Sequence, residues 1–128
     1  MTKIVFLRMK LFFLYLIALG YIIAGIFHFT NPLPYKKIMP PWLPYHYPLI
    51  YISGVCEIIF GAMLIPEITR PIGAWLIIAM LVAIFPANIQ MMINFWQRNN
   101  PYLWIAIVRL PLQPLLIWWA WTYTKTIP

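Results

Sequence analysis

A chain of 128 residues with 64% hydrophobic and 9% charged side chains has too little polar surface to cover a soluble globule of its size, so it reads as an integral membrane protein. Its net charge of +7 sets nine Lys and Arg against Glu57 and Glu67. Those basic residues flank apolar runs, which fits membrane anchoring and excludes nucleic-acid binding, because no basic face on a soluble module can be drawn. Cys56 stands alone, which excludes an internal disulfide and a dithiol redox pair within one chain.

The first apolar run, Leu11 to Phe29, follows Lys3, Arg8 and Lys10. Ala18-Leu19-Gly20 loosely resembles a signal cleavage site, but the apolar stretch continues well past it, so an uncleaved span is expected. Thr30 to Pro48 is rich in proline and aromatics and poor in helix formers. It is expected to be an irregular connection lying along the interface as a cap, since Trp and Tyr favour headgroup depth. Three more runs follow, Leu49 to Ile65, Pro71 to Phe95 and Pro101 to Tyr123. A hydrocarbon core of about 30 Å needs roughly 17 to 25 helical residues, so each run can cross it. The expected fold is all-α, a polytopic four-transmembrane-helix bundle forming a single membrane domain.

Pro71 and Pro101 open spans, where a missing amide donor costs nothing, and Pro66 closes one. Pro86, Pro111 and Pro114 fall inside spans, where each frees a backbone carbonyl; kinks are expected there, and kinked helices can leave a cavity between them. Five basic residues, Lys3, Arg8, Lys10, Arg70 and Lys125, lie on one side of the membrane, and three, Lys36, Lys37 and Arg98, lie on the other. This bias places both termini in the cytoplasm. The connections at 30–48 and 96–100 then lie outside.

Glu57 sits at the centre of a membrane-length segment, LIYISGVCEIIFGAMLI. A charge there costs about 2.5 to 3.5 kcal/mol on insertion scales, so it is expected to face the bundle interior and a partner. Glu57 is eight residues from Leu49, and Arg109 is eight residues from Pro101, at the same membrane face. Both therefore lie about 12 Å deep, and Asn88 lies at about 10 Å on the same scale. Gln90, Gln113 and His28 fall in the same half, so polar residues from all four spans converge beneath the first connection. Gly54, Glu57 and Gly61 share one helix face, as do Gly20, Ala24 and His28; small residues at this spacing mark inward faces.

Two readings of this centre stay open. A Glu57 to Arg109 ion pair completed by amides can fix the packing of two helices and do nothing more. Alternatively, Glu57, Arg109, Asn88, Gln90, Gln113 and His28 form a ligand-binding site for a headgroup, a quinone carbonyl or a proton. No catalytic residue is assigned. Two His and two Glu without close spacing give no support for a metal or haem site. Met80, Met91 and Met92 read as adaptable packing, and Trp118, Trp119 and Trp121 as an interfacial belt.

Ala24-Gly25-Ile26-Phe27-His28-Phe29 with Asn31-Pro32, Ile38-Met39-Pro40-Pro41-Trp42-Leu43-Pro44, Ser53-Gly54-Val55-Cys56-Glu57, Phe85-Pro86-Ala87-Asn88-Ile89 and Arg109-Leu110-Pro111-Leu112-Gln113 appear in this order. Together they resemble the DoxX family of small bacterial membrane proteins, across nearly all of Ala24 to Tyr123. The resemblance implies a four-helix protein of the bacterial inner membrane with a quinone- or lipid-like ligand. It also implies an accessory place beside a membrane or periplasmic redox partner. It transfers no catalytic residue, and the chain has neither a cofactor fingerprint nor a cysteine pair, so an autonomous enzyme is not expected. A small proton-coupled transporter, with symmetry supplied by a homo-oligomer, and a purely structural membrane partner are the alternatives.

Overall fold

The computed structural model describes residues 2–39 and 42–125, without the side chains of Pro34, Lys37 and Ile38. Pro40 and Pro41 of the proline-rich motif lie outside the described residues. Five helices follow one another: α1 (Thr2–Thr30), α2 (Pro32–Ile38), α3 (His46–Met63), α4 (Arg70–Gln97) and α5 (Leu103–Trp121). All but α2 are long and apolar enough to cross a membrane, and no strand occurs among the described residues. The protein is a multi-pass, all-helical bundle.

The ends of α3, α4 and α5 shift by one to three residues from the sequence expectation, with α5 opening at Leu103 and not at Pro101, and two features of the first third of the chain differ more. The first helix begins at Thr2 instead of Leu11, because the nine residues before Leu11 contain neither Gly nor Pro. At 1.5 Å per residue, its 29 residues extend about 43 Å, so its first turns protrude past the hydrocarbon to headgroup depth. The connection after it is not wholly irregular, since Pro32–Ile38 forms α2 with a proline in its first turn, where no amide donor is required. In contrast, α4 runs through Pro86, and α5 runs through Pro111 and Pro114, with all three rings exposed on the outside of the bundle.

Helix ends are satisfied by local chemistry. At the end of α4, Asn99 adopts the left-handed conformation, with φ of 52°. The amide of Asn100 then donates to the carbonyl of Phe95 at 2.9 Å, and that of Asn99 donates to Trp96 at 3.3 Å, which together form a Schellman cap. At the end of α3 the cap is a side chain from the next helix. Arg70 is 5% exposed, and its guanidinium donates from Nε to the carbonyl of Leu64 and from Nη2 to that of Ile65, both at 2.8 Å. Arg70 thus acts as a turn-closing residue as well as one of the basic flank. Arg70→Met should cost about 3 kcal/mol, because two charge-assisted bonds to buried carbonyls disappear. Arg70→Lys should not restore it, since an ammonium cannot span both carbonyls as the planar fork does. Thermal unfolding of the purified variants checks both.

Helix α1 packs along α3, α3 meets α4, and α4 packs along α5, so α1 and α5 are the two ends of the series. The α1–α3 approach is set by glycine. A Cβ on Gly25 would lie 2.5 Å from the carbonyl oxygen of Gly54, and a Cβ on Gly61 would lie 2.9 Å from that of Ala18. On α1 the close-approach position is therefore Gly25; a Cβ on Gly20 would meet nothing within 4 Å. Side chains close the bundle between α1 and α5 near the chain termini. Leu14, Ile17 and Ala18 join Leu64, Ala74, Ile77, Leu81, Ala120 and Tyr123 in one buried cluster, and the Tyr123 hydroxyl donates to the carbonyl of Lys10 at 2.9 Å. At the opposite face, Met91, Phe95 and Ala106 close α4 against α5.

A candidate polar site between the helices

Between these two clusters the bundle is hollow. A cavity of about 490 Å³ is walled by α1, α3, α4 and α5. Its polar lining is Tyr21, Glu57, Asn88, Arg109 and Gln113, and its apolar walls include Ile17, Met80, Leu81, Ile84 and Leu116. Leu16 and Gly20 of α1 and Leu112 of α5 also line it and are exposed on the outside of the bundle, so the cavity opens sideways between the two end helices. Counted from the ends of their helices on the α2 side, Tyr21, Glu57, Asn88, Arg109 and Gln113 all lie about 9 to 17 Å deep. The polar end of the cavity faces α2, and its apolar end reaches toward Trp119.

Five buried side-chain atoms on these walls have no hydrogen-bond partner: Tyr21 Oη, Glu57 Oε2, Asn88 Nδ2 and Gln113 Oε1 at the polar end, and Trp119 Nε1 at the apolar end. Leaving such an atom unsatisfied costs about 1 to 3 kcal/mol, so the four gathered at the polar end mark a place shaped for a polar occupant. The Gln113 amide makes only a 3.5 Å contact to the carbonyl of Leu81. Glu57 and Arg109 do not form the direct ion pair of the first reading. The ion-pair contact found among the described residues runs from His28 Nδ1 to Glu57 Oε2, at 3.2 Å. Nδ1 also lies 2.7 Å from the carbonyl of Ala24. A carbonyl can only accept, so Nδ1 carries a hydrogen and spends it on the shorter contact, which leaves Oε2 without a donor.

His28 stands behind the site. It is 7% exposed and stacks on Tyr35 of α2, with centroids 3.9 Å apart and planes at 21°, so α2 covers Glu57 through this histidine. Burial, and after it the Glu57 carboxylate, holds the Tyr35 phenol above its ordinary pKa against the opposing pull of Arg109. It therefore remains a neutral ring throughout the physiological range. Lys36 of α2 lies over the Tyr47 ring at 4.9 Å, which ties the cover to the start of α3.

Glu57, Arg109, Asn88 and Gln113 are brought together as the depth comparison anticipated. Gln90 is not. Two residues beyond Asn88, it is rotated about 200° around the helix and donates instead to Asn94 Oδ1 at 3.0 Å. His28 touches Glu57 without lining the cavity. Tyr21 was missed, although it precedes His28 by seven residues and so shares its face. Of the three tryptophans read as an interfacial belt, Trp118 and Trp121 are exposed, whereas Trp119 is half-buried, lines the cavity and packs against Phe13 with ring centroids 6.2 Å apart. Among the described residues, no group of three His, Cys, Asp or Glu could hold a metal ion.

Comparison with known proteins is narrow. No curated protein and no solved structure matches the chain. A sequence family described as a domain of unknown function, DUF8561, matches residues 17–124, which take in the second half of α1 and all of α3, α4 and α5. By that match the chain belongs to the DUF8561 family.

Proposed function

We propose that this protein is a DoxX-like accessory or ligand-binding subunit of a membrane redox system, which holds the polar head of a quinone- or lipid-like molecule between its helices. The observation that carries the reading is the set of four unpartnered polar atoms at the polar end of the cavity, one from each spanning helix, beside the Arg109 guanidinium. The Tyr21 hydroxyl, the Asn88 amide and Arg109 donate to carbonyl or phosphate oxygens, while Glu57 and the Gln113 carbonyl accept from a hydroxyl. The sideways opening admits a molecule dissolved in the bilayer, and its tail has the apolar end of the cavity to follow. A bacterial inner membrane with both termini in the cytoplasm fits the five-to-three basic bias. The site would then lie in the outer half, within reach of a membrane or periplasmic redox partner.

Mass spectrometry of the purified protein tests this. A quinone or lipid should be retained, and Asn88→Leu or Gln113→Met should weaken its binding by roughly tenfold each. Protein that copurifies with none, together with Glu57→Gln as stable and as active in cells as the parent, would overturn the reading. The contact of His28 with Glu57 favours a second reading, a small proton-coupled transporter, because two titratable groups meet at an intramembrane cavity. Absence of pH-dependent flux in liposomes for every candidate solute removes that alternative.

A further inference from the structure

A second cavity, of about 520 Å³, lies lower on the same seam, between the first turns of α1 and the last turns of α5. Its walls are apolar and open to the outside: Phe6 and Phe13 of α1 face Leu115 and Trp118 of α5, and all four are exposed. At its rim stand Lys10 and Thr122, whose hydroxyl donates to the Trp119 carbonyl, and the hydrogen bond from Tyr123 to the Lys10 carbonyl ties the two helices together there. Lys10 is 20 residues from the far end of α1, about 30 Å away, so the rim lies at headgroup depth while Phe13 and Leu115 lie within the hydrocarbon.

Charge on this seam is one-sided. Lys3, Phe6, Lys10 and Phe13 follow one another at spacings of three and four and so share one face of α1, which puts Lys10 in the groove and Lys3 on the same face two turns beyond it. The acid of this membrane face, Glu67, sits in the turn between α3 and α4, away from the α1–α5 seam. We infer that this groove is a binding site for one anionic phospholipid, with an acyl chain laid between Phe6, Phe13, Leu115 and Trp118 and its phosphate held by Lys10 and Lys3. A groove crossing the boundary between hydrocarbon and headgroups fits a molecule that is apolar at one end and anionic at the other. The groove adjoins the polar cavity at Trp119, which lines both, but its assignment does not rest on what that cavity holds.

Native mass spectrometry of delipidated protein, titrated with phosphatidylglycerol or phosphatidylcholine, tests the assignment. One phosphatidylglycerol per chain should bind at least tenfold more tightly than phosphatidylcholine. Lys3→Gln with Lys10→Gln should abolish that preference, since each lysine near the surface contributes on the order of fivefold. Arg8→Gln with Lys125→Gln removes the same charge from outside the groove: Arg8 points to the other side of α1, and Lys125 lies over the Trp121 ring at 4.9 Å. That pair should leave the preference intact. Equal binding of the two lipids, or an equal loss in both double variants, would overturn the site in favour of diffuse surface charge. Leu115→Trp fills the groove with every lysine in place and should also lose the tight lipid, so undiminished binding there overturns the proposal even if the lysine variants do not fold.

Discussion

Gly25→Leu should abolish folding of the bundle, whereas Gly20→Leu, five residues away on the same helix, should be tolerated. A Cβ on Gly25 would stand 2.5 Å from the backbone oxygen of Gly54 and 2.6 Å from the Ile58 side chain. Neither can be relieved by turning the far end of a flexible chain, because one is backbone and the other is the branched stem of a packed residue. Gly54 faces the same constraint from the other side, with the Gly25 oxygen 2.9 Å and the His28 Cβ 2.8 Å from where its own Cβ would lie. Overpacking a tight core costs about 1 to 3 kcal/mol per added group, and here α1 must separate from α3 along its length. An added side chain raises helix propensity by up to about 1 kcal/mol, so an observed loss would be a lower bound on the steric cost. At Gly20 a Cβ meets nothing within 4 Å, and the propensity gain stands alone. Size-exclusion profiles and unfolding midpoints of the two variants should therefore differ sharply; similar profiles would mean that glycine contact does not set the α1–α3 distance.

The distinction between Gly20 and Gly25 shows where sequence reading stopped. Hydropathy identifies the spans because a bilayer demands a fixed length of apolar helix, and that constraint is visible one residue at a time. Depth is equally visible, since helices rise uniformly, so Glu57, Asn88, Arg109 and Gln113 could be placed at one level before any contact was known. Rotation about the helix axis is not so visible. Gly20 and Gly25 both belong to small-residue patterns, and only the packing of α3 decides which one is covered. Gln90 shares the depth of the site but points elsewhere for the same reason. Glu57 and Arg109 line one cavity yet form no ion pair: counted from the observed helix starts, Glu57 lies 11 residues from His46 and Arg109 only 6 from Leu103. Sequence alone gives Trp119 an interfacial place and singles out no role for Tyr21, because an aromatic side chain with one polar atom suits a buried or an interfacial position equally. The seven-residue α2 was hidden by its own prolines, which break helices in their interiors and are harmless in a first turn.

Asn88→Leu combined with Gln113→Met should make the ligand-free protein more stable and the ligand-bound protein less so. Asn88 is 7% exposed and Gln113 is 4% exposed; each leaves one polar atom without a partner, and the replacements keep nearly the same volume. Removing unsatisfied polar atoms from two positions should stabilise the empty bundle by about 2 kcal/mol, since each costs about 1 to 3 kcal/mol and the weak Gln113 contact to Leu81 is lost in exchange. A core refined only for packing would already have made these exchanges. In the parent protein an occupant at one hundred times its Kd adds about 2.7 kcal/mol of stability, and the variant forgoes most of it. The order of the two unfolding midpoints should therefore invert when the copurifying quinone or lipid is added back. A variant that is less stable when empty would assign Asn88 and Gln113 to packing α4 against α5, because a structural hydrogen-bond network weakens when its members are removed, whereas a binding site stripped of its ligand relaxes.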